Sequence, residues 1–197
     1  MTHLAKKGLV LMALSMLLTL SACGAKREEA RFDAFRKTLQ DAAVTVTAEV
    51  TARDGDEATT FTLRCAEAQE GCDIEVLAPQ EIAGVRAHVD ADNVEMLFDD
   101  LILPMPQNKD TVSPLMALPL VLEAARNGHL DLVWEEDALV CQLIARDNVA
   151  VRLYLNAEGT PTAAEIDLDG HTNVFCTVTE WSTAQNEVHN SDQTVQE

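Results

Sequence analysis

The residues of this sequence best suited to chemistry are its five cysteines, Cys23, Cys65, Cys72, Cys141 and Cys176. Cys65 and Cys72 enclose six residues between two predicted strands, and both fall on the apolar phase of the strand alternation. In a hairpin their sulfurs could face each other at disulfide distance. Two states stay open from the sequence, a Cys65–Cys72 disulfide and a pair of buried thiols. Cys141 and Cys176 lie on separate strands of a predicted meander, which favours buried thiols there.

Cys23 stands at the end of a leader. A basic stretch precedes an apolar run over 8–20, which has the order and length of a secretory signal peptide and is too short for a membrane-spanning helix. The run ends in Leu20-Ser21-Ala22-Cys23-Gly24, which resembles the bacterial lipoprotein signal and implies cleavage before Cys23 and lipidation of its thiol. We therefore predict a signal peptide over 1–22, then a lipidated tether over 23–29 on the extracytoplasmic face of a cell membrane.

Motifs for catalysis or metal binding are missing from the rest of the sequence. It contains no CxxC, HExxH, GxSxG, GxxxxGK[ST] or GxGxxG pattern, and its histidines are scattered. The run Asp90-Ala91-Asp92-Asn93 has the start of a calcium loop, but Glu95 stands where that loop needs glycine. We therefore predict no catalytic residues, no metal site, no cofactor and a protein that is not an enzyme.

Charge and composition narrow the classes of partner. The 197 residues include 14 Lys and Arg against 33 Asp and Glu, a formal net charge of -19, so the surface would repel nucleic acid. With 47% hydrophobic residues the chain can bury a core, and its length suits one folded domain.

Apolar periodicity predicts the elements that position the cysteines. Phe32, Phe35 and Leu39 recur at helical spacing and predict a short amphipathic helix over 28–40. A second helix is predicted after Ser113-Pro114, a favourable N-cap and first helical position, and it should stop at Asn127-Gly128. Elsewhere the period is two residues, which is typical of half-buried antiparallel strands. Strands are expected at 44–51, 61–65, 72–76, 85–89, 94–98, 130–135, 138–145, 149–155, 163–168 and 172–181, with a loop over 103–113.

This order of elements predicts the fold class α+β, with one antiparallel sheet and two helices in a single domain over 30–181. Helices do not alternate regularly with strands, so a parallel doubly wound sheet is disfavoured. The residues that follow Trp181 are polar and acidic with almost nothing to bury, and we predict a disordered tail over 182–197.

Three segments also suggest a family, at Glu75 to Val85, Ser113 to Leu115 and Pro161 to Ile166. With the order of elements, they resemble the LolA/LolB-like superfamily of lipoprotein carriers and, within it, the GerS-type sporulation and germination lipoproteins. The resemblance implies a curved half-barrel sheet with an apolar concave face and helices packed on that side. It also implies a noncatalytic function, either holding acyl chains in the concave face or activating a cell-wall amidase.

The apolar residues of the strands are the candidate binding surface. With the helices, they would form either a filled core or a cavity for a ligand. Two functional classes follow, a membrane-anchored adaptor that docks an envelope protein such as a cell-wall enzyme, and a module that binds lipid or lipoprotein acyl chains. The residues expected to line a cavity are Val44, Val46, Phe61, Leu63, Ile74, Val76, Leu153 and Ile166.

Overall fold

The computed structural model describes residues 26–55, 57–68, 71–90, 93–98, 101–105 and 112–185. Residues 26–41 form the first helix, α1, and Ala117–Asn127 form the second, α2. Short 3₁₀ turns lie at Gln80–Ile82 and Pro114–Met116. The strands are β1 Ala42–Asp54, β2 Glu57–Glu67, β3 Cys72–Ala78, β4 Arg86–Val89, β5 Val94–Phe98, β6 Leu101–Met105, β7 His129–Glu135, β8 Leu139–Arg146, β9 Val149–Leu155, β10 Pro161–Leu168 and β11 His171–Gln185.

The strands form one open sheet in the order β6-β5-β4-β3-β2-β1-β11-β10-β9-β8-β7. Every strand pairing within the described part of the chain is antiparallel. The sheet consists of two meanders, β1 to β6 and β7 to β11, which are joined where β1 pairs with β11. The predicted fold class is thereby confirmed: a single curved antiparallel sheet, not closed, forms a half-barrel with two helices.

Strand alternation separates an apolar inner face from a charged outer face. Consecutive Cα partners across six strands form one inward row: Cys141, Leu153, Ala164, Cys176, Val50 and Phe61. The outer face carries cross-strand pairs of opposite charge, such as Arg64 with Glu75 and Arg152 with Glu165. This separation follows from the two-residue period of a strand, which sends successive side chains to opposite faces.

The helices cover the inner face with the apolar residues that their periodicity predicted. Phe32 and Leu39 of α1 are fully buried, and the ring of Phe35 lies 6.1 Å from that of Trp181 on β11. In α2 the residues Leu118 and Leu122 are buried, and this helix packs against β8 to β11. Each fully buried leucine contributes about 2 kcal/mol of transfer free energy, so both helices are held mainly by this apolar contact.

The sequence predictions differ from the structure most at β6 and at the end of β11. Leu103, which was placed in a loop, belongs to β6, where it pairs with Met96 of β5. Pro104 weakens the strand signal there, but proline is tolerated on an edge strand such as β6. The last strand also extends beyond residue 181 to Gln185, because backbone pairing with Ala42 to Thr45 continues where side chains are polar. The predicted signal peptide, Cys23 and residues 186–197 lie outside the described residues.

Candidate functional site

The hairpin of β2 and β3 brings Cys65 and Cys72 together. Cys65 is the Cα partner of Ile74 and Cys72 that of Glu67, so the two cysteines are diagonal neighbours on the inner face. Both are buried free thiols that share a hydrogen bond. This hydrogen bond lowers the pKa of Cys72 and raises that of Cys65, because one thiolate is stabilised by the remaining thiol. The disulfide, one of the two states that the sequence left open, stays a prediction.

Cys141 and Cys176 occupy the same inward row but have β9 and β10 between them. Three strand spacings separate them by about 14 Å, well beyond the Cα separation that a disulfide spans. Burial raises the pKa of each thiol to about 12. They are therefore unreactive core residues, as the sequence favoured.

Arg126 of α2 connects both helices to the sheet beside Cys72. Its Nη2 donates to the carbonyl oxygen of Leu39 at 2.7 Å and to Oε2 of Glu67 at 2.9 Å. Glu67 also accepts a hydrogen bond of 2.7 Å from the backbone amide of Val44, and only 9% of its side chain is exposed. The hydrogen bond to Glu67 raises the pKa of Arg126.

Arg36 of α1 makes the reciprocal contact with the end of α2. Its Nη2 donates to the carbonyl oxygen of Gly128 at 2.6 Å, and its Nε donates to that of Ala125 at 3.0 Å. The last carbonyls of a helix have no partner within it and carry negative partial charge, so a guanidinium is favourable there. Each helix thus ends on an arginine of the other, and we call Arg36 and Arg126 with these contacts the arginine clasp.

The arginine clasp borders a depression of about 600 Å³ between the ends of the helices and the β2–β3 hairpin. Its lining mixes charged residues with apolar ones: Leu39, Gln40, Ala42, Ala43, Glu67, Ala68, Gly71, Cys72, Pro119, Leu122, Glu123 and Arg126. A second depression of about 360 Å³ lies at the turns of β8–β9 and β10–β11, where Asp147, Asp167 and Asp169 line it.

The eight residues predicted to line a cavity lie in one hydrophobic cluster under the helices. Seven of them are at most 2% exposed, while Phe61 is half-buried against the cluster. None of the eight lines either depression. The inner face at these positions is therefore packed by α1, α2 and neighbouring strands.

The edge of the sheet at β6 presents a different surface. Leu101, Ile102 and Leu103 are 56%, 58% and 44% exposed, and within the described residues β5 is the only strand paired with β6. Sequence reasoning assigned Leu101 and Ile102 to no element, because Pro104 interrupts the apolar run and a loop was predicted from Leu103 onward. The signal was available in five consecutive residues without charge, Leu101 to Met105. On the opposite edge, Leu132 of β7 is 55% exposed.

The part of the chain that the structure describes contains neither a metal-binding cluster nor a membrane-spanning helix. It contains no group of three or more His, Cys, Asp or Glu side chains placed to hold a metal ion. It contains no helix with the length and apolarity needed to cross a bilayer. Within these ranges, every buried side-chain nitrogen or oxygen has a hydrogen-bond partner.

Comparisons with known proteins find similarity among solved structures. The sequence matches no family model and no curated protein. An uncharacterized conserved protein from Thermus thermophilus is 16% identical with a TM-score of 0.46, over 80% of this chain and 88% of that one. A LolA superfamily protein from Nitrosomonas europaea is 8% identical with a TM-score of 0.46, over 78% and 94%.

A third similar structure is the CwlD amidase from Clostridioides difficile in complex with the GerS lipoprotein. The matched chain is 18% identical with a TM-score of 0.39, over 81% of this chain and 93% of that one. The similar structures therefore include the two groups that the sequence resembles, LolA superfamily proteins and a GerS complex.

Proposed function

We propose that the protein is a noncatalytic adaptor, held by lipidated Cys23 on the extracytoplasmic face of a membrane, which docks an envelope protein along β6. The exposed apolar edge formed by Leu101, Ile102 and Leu103 carries the proposal. An edge strand presents unpaired backbone groups that template the addition of another strand. Partner proteins are commonly bound in this way, with side-chain contacts supplying specificity.

The packed interior supports an adaptor rather than a carrier of acyl chains. Seven of the eight candidate cavity residues are buried among protein side chains, and the arginine clasp ties α1 and α2 to each other. The depression beside the clasp is lined in part by Glu67, Glu123 and Arg126, which suit an acyl chain poorly. The finer proposal, a cell-wall enzyme of the amidase type as the partner, comes from the sequence resemblance to GerS-type lipoproteins.

Site-specific photo-crosslinking in cells tests the docking edge. A photoreactive residue replaces Ile102 of β6 in the full-length protein, and a matched control carries it at Leu132 of β7, which is similarly exposed on the other edge. We expect a defined polypeptide adduct from position 102 and none from position 132. In a second pair, Ile102→Lys should weaken binding of the adduct partner about 10-fold or more, because a buried apolar contact is replaced by a charge, whereas Leu132→Lys should leave binding unchanged.

The proposal fails if both positions crosslink equally or if Ile102→Lys binds the partner as well as the wild type. Native mass spectrometry of the detergent-extracted protein addresses the acyl-chain function separately. A reproducible increment of lipid size beyond the covalent anchor, lost on collisional activation and unaffected by Ile102→Lys, would favour lipid or lipoprotein binding over the adaptor.

A further inference from the structure

We propose that Cys65 and Cys72 are a disulfide-forming pair in which Cys72 exchanges with an external disulfide and Cys65 closes the bond. The pair lies on adjacent antiparallel strands, β2 and β3, at diagonal positions of one face. The two thiols already contact each other through a hydrogen bond. The Cα atoms of diagonal neighbours in a sheet lie about 7–8 Å apart, and those of a disulfide lie about 4.4–6.8 Å apart. Closing the bond therefore needs only a small inward shift of the backbone where β3 begins, next to a turn.

The two cysteines differ in their exposure. Cys65 is 0% exposed in the core, whereas Cys72 is 8% exposed and lines the depression beside Arg126. Gly71, directly before Cys72, has a φ of +80°, and a Cβ there would lie 2.1 Å from the carbonyl oxygen of Val89. Only glycine fits this close approach, which sets the start of β3 and the position of Cys72 against β4.

The surroundings of Cys72 favour its thiolate. The hydrogen bond from Cys65 lowers the pKa of Cys72 and is the largest effect on it. The positive charge of Arg126 acts in the same direction, while burial and the negative charges of Glu67 and Asp73 oppose it. The thiolate is the form that attacks a disulfide. The more exposed cysteine of the pair is thus also the one whose thiolate is favoured.

The exchange balances in two steps. The Cys72 thiolate attacks one sulfur of the donor disulfide, the donor S–S bond breaks, and its second sulfur leaves as a thiolate while a mixed disulfide forms on Cys72. Cys65 then gives its proton to that departing thiolate and attacks the sulfur of Cys72. The first donor sulfur leaves as a thiolate and takes up from water the proton that Cys72 lost before its attack. The protein dithiol is oxidised by two electrons and the donor is reduced to two thiols. The donor class is a protein or glutathione disulfide of an oxidising extracytoplasmic compartment.

The arrangement of lysines and arginines makes the test direct. Trypsin cleaves after Arg64 and Arg86, with no basic residue between them, so Cys65 and Cys72 fall in one peptide. Cys141 falls in the peptide 127–146, and Cys176 falls in the peptide 153–197. The two unreactive core thiols therefore serve as internal controls in separate peptides.

Cells that express the full chain are treated with acid to stop exchange, denatured in N-ethylmaleimide and digested. We expect the 65–86 peptide without an adduct and about 2 Da lighter than its dithiol form, while the Cys141 and Cys176 peptides each carry one adduct. Reduction before alkylation should restore two adducts to the 65–86 peptide. Two adducts without reduction, on protein whose leader has been removed, would overturn the proposal.

The in-cell result rests on the proposed extracytoplasmic location, and an in vitro arm separates the two. The purified, reduced full chain is incubated with oxidised glutathione and digested in the same way. Internal bonding of the 65–86 peptide supports the pair whatever its location. Cys72→Ala should abolish that bonding and leave Cys65 without glutathione and labelled by N-ethylmaleimide. In vitro, either glutathione retained on Cys72 without the internal bond or no reaction at all would refute the disulfide-forming pair. In cells, a retained leader would refute only the proposed extracytoplasmic location.

Discussion

Replacing Arg126 with methionine removes the guanidinium that joins α2 to α1 and to β2, while most of the side-chain length remains. The carboxylate of Glu67 is left with the amide of Val44 as its remaining partner at a position where 9% of its side chain is exposed. The carbonyl of Leu39 loses its hydrogen bond as well. Removing one member of a buried ion pair costs about 3–5 kcal/mol. Because 26% of the Arg126 side chain is exposed, we expect the low end of that range, about 3 kcal/mol.

A matched control uses the same pair of residue types on the outer face. Arg64 forms a salt bridge with Glu75, but 50% of the Arg64 side chain and 31% of the Glu75 side chain are exposed. A solvent-exposed ion pair contributes about 0–1 kcal/mol, so Arg64→Met should change the free energy of unfolding by less than about 1 kcal/mol. The difference between the two arginines measures what burial adds to the interaction.

Urea unfolding of the purified protein, followed by circular dichroism, gives both free energies. With a slope of about 2 kcal/mol per molar urea, Arg126→Met should lower the midpoint by about 1.5 M and Arg64→Met by less than about 0.5 M. The double variant Arg126→Met with Glu67→Gln should recover part of the loss, because the unpaired charge is removed. Equal midpoint shifts for both single variants would refute the assignment of Arg126 to a buried ion pair.

Three further predictions concern the cysteines. Reduction of the Cys65–Cys72 disulfide should lower the free energy of unfolding by about 2.5 kcal/mol, as expected for a loop of this length, and a melting temperature that does not respond to dithiothreitol would contradict it. Burial raises the pKa of Cys141 and Cys176 to about 12 from 9.0, so the folded state binds these protons more tightly. The contribution of the two protonated thiols to the free energy of unfolding is complete below pH 9 and is lost as the pH rises to 12. The free energy of unfolding of the double alanine variant, measured by urea titration, should therefore fall less steeply between pH 9 and pH 12. Cys23→Ala should move the protein from the membrane to the soluble fraction on ultracentrifugation, and continued sedimentation with membranes would exclude the lipid anchor.

Sequence reasoning predicted the elements that depend on local periodicity. Val44, Val46 and Val50 alternate with polar residues, and this alternation identified β1 and the face that it buries. Phe32 and Leu39 likewise identified the buried face of α1. The strand alternation also placed Cys65 and Cys72 on one face of a hairpin, where the structure has them as diagonal neighbours.

The features that depend on distant contacts were not predicted. Arg36 and Arg126 each bind carbonyls that are about ninety residues away along the chain, and a polar residue on an amphipathic helix is usually a solvated one. The edge strand β6 was missed because Pro104 interrupts its pattern. The arginine contacts depend on how the sheet brings the two helices together, which the local periodicity of the sequence does not predict. The strand β6, by contrast, was missed for a local reason.

The pairing of β1 with β11 sets the order in which the protein can assemble. Residue 42 pairs with 185 and residue 52 with 174, whereas the other strand pairs join segments that follow one another along the chain. Contacts of long sequence separation carry the largest loop-closure cost and tend to form late. Until β11 is synthesised, β1 is itself an unprotected edge with three valines on it. Aggregation during biosynthesis should therefore depend on how soon the last fifteen-residue strand arrives, rather than on either meander alone.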